Sequence, residues 1–507
     1  MNRLSRRDLL IHGLGSFAAL AAPTTRVDAQ PSFRAYPFSL GVASGDPLPD
    51  GAVLWTRLAP EPFIGGGMAP EAVPVRWEIA SDDDMRRVVA WGETVAMPEL
   101  AHSVHVEVSG LEPAHDYWYR FQAGNELSPI GRMRTTPLPG EPVNRLRFAV
   151  AGCQHYAQGY YTAFRHLSEE PFDFVFHYGD YIYEGTPRRR VRQLPASAKE
   201  PYTLVEYRDR YAAYKSDPDL QAAHASAPFL MSFDDHEVDN DWAADRDQDG
   251  TEPEAFLRRR AAAFQAYYEH MPLRRSSMPR GSAMAMYRRF RFGRLAQINV
   301  LDTRQYRTDQ PCGGATVSAC RDASDPRRTM LGAEQERWLF DGLARSRAAW
   351  NVLAQQVLMT QFFVPYLDGW DGAIAARNRL LDFISRRRIP NTIVLTGDIH
   401  SHWASELKAD FDDIGSETLA FEFAATSISS GGDSPHPLVA GREAEILRRN
   451  PYLKFYNGQR GYLSIEVTPE IWQTHFRAVD YVTRGGAPLR TAATFVVENG
   501  NRLLQRA

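Results

Sequence analysis

Four apolar runs in this sequence stop at residues that can hold a metal ion. LRFAVAGC ends at Cys153, FDFVFHYGDYIY carries Asp180 and Tyr183, PFLMSFDD ends at Asp235, and TIVLTGDIH presents Asp398 and His400. A strand that runs into Gly-Asp sets a carboxylate on the rim of a sheet, next to a residue with no side chain, so a ligand can come close. Asp180 placed there can bridge two cations, and Tyr183 adds a phenolate oxygen. Asp398 and His400 are two apart and share a face in an extended chain. Thiolate and phenolate are soft donors that favour a ferric ion, whereas Asp235, Asn240 and Asp398 are hard oxygen donors that suit Ca²⁺. The run Asp234–Asp235–His236–Glu237 directly after FLMSF is the densest group of such donors. Burying it without cations would be very costly.

Phosphate ester cleavage is the chemistry such a set performs. It needs a nucleophilic oxygen, cations on the equatorial oxygens and help for the leaving group. Cations about Asp180 supply an activated hydroxide. His236 is placed to protonate the leaving oxygen or to hydrogen-bond a phosphate oxygen.

The elements that must position these residues fall into two blocks. From 36 to 139 the chain reads as short runs rich in Val, Tyr and Trp, separated by Gly, Pro and Asp, which is the pattern of an all-β sandwich. GLEPAHDYWYRF has Leu111, Pro113 and Tyr117 in the order of the tyrosine corner of immunoglobulin- and fibronectin-like sandwiches. In LWTR, Arg57 follows Trp55 by two and shares its face. Either it snorkels over the aromatic or it reaches, with Trp55, an anionic substrate. After the linker TTPLPGEPVN, from 145 to 500, apolar strands alternate with helical segments, and the polar residues come at the strand ends. That is the α/β signature with a site at the C-terminal ends of the strands. Few residues follow Phe495–Val497, which leaves little sequence for a C-terminal lid helix.

The bulk numbers bound the rest. A chain of 507 residues exceeds one ordinary core. With 44% hydrophobic and 24% charged residues it has the composition of a soluble globular protein. A formal net charge of -4 argues against a dedicated nucleic-acid surface. No stretch of the mature chain reaches the roughly 20 apolar residues of a membrane span. Residues 1–29 combine Arg6–Arg7, a Leu/Gly/Ala stretch and small residues up to Ala29, as in a twin-arginine export signal. This predicts the twin-arginine translocase as a partner, a periplasmic or secreted location, and a monomer. Of three cysteines, Cys312 and Cys320 lie close together and read as a disulfide formed after export; three reduced thiols is the alternative.

The motifs SGDP…LWTR, GCQ, GDYIYE, DDHEVDN and GDIH, in this order, resemble the PhoD-like alkaline phosphatase and phosphodiesterase family, within the calcineurin-like metallophosphoesterases. The resemblance spans nearly the whole mature chain. It implies a four-layer α/β/β/α catalytic sandwich and a centre of one Fe³⁺ and two Ca²⁺. By position it implies Cys153 and Tyr183 on iron, Asp180 bridging to calcium, and Asn240, Asp398 and His400 completing the set. It also implies that Arg57 contacts phosphate. Cys153 stands where the broader superfamily has Asp-x-His, Asp-Asp-His-Glu replaces Gly-Asn-His-Glu, and Gly-Asp-x-His replaces Gly-His-x-His. These departures speak against a simple two-zinc or two-manganese centre. Two other readings compete. One is a phospholipase D-like diesterase acting on lipid head groups. The other is a non-catalytic, calcium-stabilised envelope protein that docks on a phosphate-bearing wall polymer.

Overall fold

The structure is a computed structural model that describes residues 31–187, 190–195, 199–314, 320–434 and 441–507. The export signal read in residues 1–29 lies outside the described residues. Two large sheets make the body of the molecule, one of ten strands and one of seven. In the first, Leu146–Ala151, Phe174–His177 and Pro228–Met231 run parallel side by side. In the second, Ala296–Val300, Trp350–Ala354, Thr392–Thr396 and Thr418–Ala424 do the same.

Period-two alternation explains why both faces of each sheet are covered. Phe148 and Val150 point into the core between the sheets, together with Phe176, Trp350, Val352 and Ile393. Ala149, Ala151 and Val175, one residue out of step, point the other way, against a second core. That core is closed by helices Thr162–Ser168, Leu204–Lys215, Pro218–Ser226 and Pro253–His270. On the far side Leu353 and Val394 meet helices Gly332–Ala344 and Ile374–Arg387. Helix, sheet, sheet and helix are thus stacked in four layers. Strands buried on both faces read as continuous apolar runs, which is what VFHYGD and TIVLTGD show.

The N-terminal strands also form two facing layers around one core. Val42, Leu54 and Val106 of one layer meet Val75, Ile79 and Phe121 of the other. The backbone N–H of Glu112 donates to Tyr117 Oη at 3.0 Å, the contact a tyrosine corner makes. One of these layers is not separate from the catalytic body. Val42–Leu48 pairs in parallel with Pro228–Met231, so half of the N-terminal block extends the ten-stranded sheet. Cys312 and Cys320 are bonded to each other, with Cα atoms 6.1 Å apart. Among the described residues no helix is long and apolar enough to cross a membrane.

Candidate metal centre

Cys153, Asp180, Asp235 and Asp398 lie just past the C-terminal ends of parallel strands, on one rim shared by both sheets. The chain reverses sharply at four of the ligand-type residues rather than staying extended. Cys153, Asp180, Asp398 and His400 all have φ between 51° and 66°, in the left-handed region. Non-glycine residues held there cost about 1–3 kcal/mol each and tend to gather at functional sites. Glycines precede Cys153, Asp180 and Asp398, and close packing requires them. A side chain on Gly152 or Gly397 would strike the Tyr178 ring within 2.5 Å. One on Gly179 would strike the Asp234 backbone nitrogen at 2.4 Å.

One side of the cluster is thiol, phenol and imidazole. Cys153 Sγ donates to Asp180 Oδ2 at 3.1 Å, and Tyr183 Oη donates to the same oxygen at 2.7 Å. His400 Nε2 lies 3.0 Å from Tyr183 Oη and 4.0 Å from Asp180 Oδ2. The Tyr183 ring stacks on His155 and lies tilted against His236, with centroids at 4.6 and 4.1 Å. Burial first, then Asp180 and Asp398, pushes the Cys153 thiol well up. Burial and the neighbouring carboxylates do the same to Asp180.

The other side is carboxylate and guanidinium. Asp235, Asp241 and Asp368 bring oxygens within 4.8 Å of one another, and Asp180, Asp235 and His236 make a second such group. Fully buried Arg304 binds Asp234 at 2.6 Å and both oxygens of Asp368 at 2.9 and 2.7 Å. Tyr366 donates to Asp398 Oδ2 at 2.7 Å. His236 Nδ1 lies 2.7 Å from Glu184 Oε2. Burial opposes a charge on His236, but Glu184 and Asp235 outweigh it and hold its pKa well above the ordinary value. A cavity of about 680 Å³, lined in part by Asp241, Arg246, Gln248 and Gln310, opens beside this side.

The donor set fits cations. Asp180 Oδ1 is buried with no hydrogen-bond partner among the protein atoms. An orphaned carboxylate oxygen amid further carboxylates is an expensive arrangement unless a cation answers it. A thiol, a phenol, an imidazole and a carboxylate on one side, and mainly carboxylates on the other, are metal-ion donors, the first set softer than the second.

Comparison with known proteins agrees. Residues 148–476 match the family model PhoD-like phosphatase, and residues 22–137 match PhoD-like phosphatase, N-terminal domain. Alkaline phosphatase D of Bacillus subtilis (strain 168) is 46% identical over 527 aligned positions, covering 100% of this chain and 89% of that protein. This chain belongs to the PhoD-like phosphatase family. A solved structure of PhoD superposes with a TM-score of 0.91 at 48% identity, covering 94% of this chain and 93% of that one. The purple acid phosphatase PPD1 of yellow lupin (Lupinus luteus) reaches a TM-score of 0.56 at 11% identity, over 90% of this chain and 74% of its own, and shares the fold.

In this PhoD-like phosphatase three expected site residues stand elsewhere. Arg57 is buried, donating from Nε to the Ala101 carbonyl at 2.9 Å, with Nη1 2.7 Å from His270 Nε2. Its strand runs antiparallel to Val42–Leu48, with Thr56 opposite Val42, while Ser44 lies opposite Pro228. That register carries Arg57 toward the rim opposite Asp235. Trp55 is a core residue: it donates to the Glu269 carbonyl at 3.1 Å and has the Lys215 ammonium 4.1 Å above its ring. Asn240 turns its side-chain amide to Gln248 Oε1 at 2.7 Å and offers only its backbone N–H inward, to Glu184 at 3.1 Å. Asp241 takes the inward place. Glu184 closes the motif GDYIYE and Arg304 follows the strand Ala296–Val300, and neither residue type is by itself a metal-ligand signal. Asp368 and Tyr366 come from a loop of YLDGWDG, where no apolar run announces a site.

Proposed function

We propose that this phosphatase hydrolyses phosphate mono- and diesters at a centre of one Fe³⁺ and two Ca²⁺. The observation that carries the reading is the convergence of Cys153 Sγ and Tyr183 Oη on one oxygen of Asp180, whose other oxygen has no protein partner. Cys153, Tyr183, His400 and Asp180 would hold the iron. Asp180, Asp235, Asp241 and Asp398 would hold calcium. Bound there, the cations neutralise the ester's oxygens and lower the pKa of a water.

The chain's own residues do the rest. Asp180 fixes the spacing between the two sides. Glu184 engages Nδ1 of His236 and so leaves Nε2 for the leaving oxygen, with a proton to give. The Tyr183 ring, tilted against His236, restrains the imidazole. The cavity beside Asp241 has room for the organic part of a diester. The Cys312–Cys320 bond suits an oxidising compartment, which supports export through the twin-arginine route and action as a periplasmic or secreted enzyme. Its N-terminal block is an immunoglobulin- or fibronectin-like sandwich in this reading.

Exhaustive chelation tests it. Turnover of nitrophenyl phosphate and its bis ester should vanish and return with Ca²⁺ and iron together. A metal-free preparation with full activity would end the reading. Preference for phosphatidylcholine over both nitrophenyl esters would move the enzyme to the lipid diesterase class.

A further inference from the structure

Gln310 sits where three segments meet. Its side-chain amide donates to Asp368 Oδ1 at 2.6 Å and to the Asp241 carbonyl at 2.7 Å. Asp241 in turn donates its backbone N–H to Asp235 Oδ2 at 2.8 Å. One amide group thus ties together the loops that carry all three carboxylates of the acidic group. None of these loops is a strand or helix interior at that point, and Asp241 has a left-handed backbone, φ 54°. Left alone, such loops have little to hold their carboxylates at one spacing.

The disulfide begins two residues on. Pro311 is buried, and its Cδ lies 3.2 Å from where a Gly372 side chain would start, so it packs on the segment just after Asp368. Cys312, with φ 56°, turns the chain away from Gln310 and bonds to Cys320. From there Arg321–Ser324 leads to Arg328, whose Nε donates to the Gly372 carbonyl at 2.8 Å. Both arms of the disulfide loop are therefore docked on 367–373, and the bond keeps them there. Its Cys312 end is exposed to solvent and touches no member of the cluster. Its position accounts for nothing at the thiol–phenol side, which has its own strand-end supports.

We infer that Gln310 is a positioning residue for the hard-cation side of the centre, and that the Cys312–Cys320 disulfide is the staple that holds Gln310 in place. The inference rests on the proposed calcium site. It separates the two sides: loss of the staple loosens calcium and leaves iron alone. It also makes the disulfide part of the metal machinery rather than a general stabiliser.

The experiment is a calcium titration by calorimetry on the full-length, chelator-treated enzyme, with iron content measured by elemental analysis on the same proteins before chelation. Gln310→Leu keeps the disulfide and should weaken calcium about tenfold to a hundredfold, the usual scale for losing a residue that supports a ligand. The Cys312→Ser/Cys320→Ser pair should weaken it about tenfold. Added to Gln310→Leu, the Ser pair should change affinity by less than about twofold, because the two act through one contact. Iron content should stay at the wild-type value in all three. Wild-type calcium affinity in Gln310→Leu, or fully additive losses, overturns the staple. Iron lost in parallel with calcium also overturns it, because the effect would then be general. A wild-type enzyme that takes up no calcium overturns the proposed centre itself, and the staple with it.

Discussion

The two sides of the centre are stabilised by opposite means. On the thiol–phenol side, Cys153 and Tyr183 both donate protons to Asp180 Oδ2, and the arginines that reach it, Arg210 and Arg460, donate to the Tyr183 and His400 carbonyls at 3.0 and 2.9 Å rather than to a carboxylate. On the carboxylate side, Arg304 answers Asp234 and Asp368, and Arg307 Nη1 adds a contact to Asp368 at 3.0 Å. The first side holds protons on its thiol and phenol; on the second, Arg304 and its neighbours hold Asp235 and Asp368 ionised. A metal entering the first must displace protons, so its affinity rises with pH. A cation entering the second meets Asp235, which Arg304 and His236 hold ionised against the cost of burial. One residue, Asp180, belongs to both.

The largest effects should therefore come from the shared residue. Asp180→Asn should lower kcat/KM by roughly a thousandfold, the upper end for losing one preorganised charge-stabilising group. Iron and calcium should fall together in elemental analysis. Cys153→Ser should instead deplete iron by about tenfold to a hundredfold in affinity and leave calcium in place. Any tyrosinate-to-iron colour should fade in parallel. If Asp180→Asn loses only one metal, the two sides are not joined through it.

A smaller effect tests the charge argument in the chelated enzyme. Burial raises Asp234 and Asp241 to about 7 and Glu237 to about 8, and raises Asp180 and Asp398 well above the usual range. In the unfolded chain these groups titrate near the ordinary carboxylate values. Their folded-state pKa values lie higher, so the unfolded state gives up protons first as pH rises. The stability they allow is complete below about pH 4 and is lost as pH climbs toward 7 and 8. Chelated enzyme should melt roughly 5 °C lower at pH 8 than at pH 5. Added Ca²⁺ should remove most of the difference. A metal-free melting temperature flat over this window would mean the carboxylates are already neutralised within the protein.

Much of this arrangement is readable before folding, and the reasons for the gaps are specific. Gly152-Cys153, Gly179-Asp180 and Gly397-Asp398 each mark a strand end because the Tyr178 ring or the Asp234 backbone needs the space a side chain would fill. Two buried layers make each preceding run apolar, so the strands are legible too. Asp398 and His400 are set by two left-handed residues rather than by strand alternation, and they meet different partners, Tyr366 and Tyr183. Asp368 follows no strand, and its partner Arg304 lies 64 positions away, so no local pattern links them. Asn240 and Asp241 are adjacent donors of similar type. Which one faces inward depends on a reversal at Asp241 that composition does not reveal.

Arg57 is the instructive case, and it offers the smallest kinetic effect. LWTR has the composition of a phosphate grip, yet sequence does not say which way its strand runs. Pairing antiparallel to Val42–Leu48 sends it toward the rim opposite Asp235, where its guanidinium serves the Ala101 carbonyl and His270. Burial there lowers its pKa to about 10, and the Glu269 and Asp209 carboxylates offset this only in part. Arg57→Met should leave kcat and KM of the folded enzyme within about twofold, because nothing that touches the cluster is removed. It should still destabilise by about 1–3 kcal/mol, since the Ala101 carbonyl loses a buried donor. Thermal melts and steady-state kinetics on one preparation separate the outcomes. A tenfold rise in KM with an unchanged melting temperature would put Arg57 back on the substrate and make the N-terminal block part of the active site.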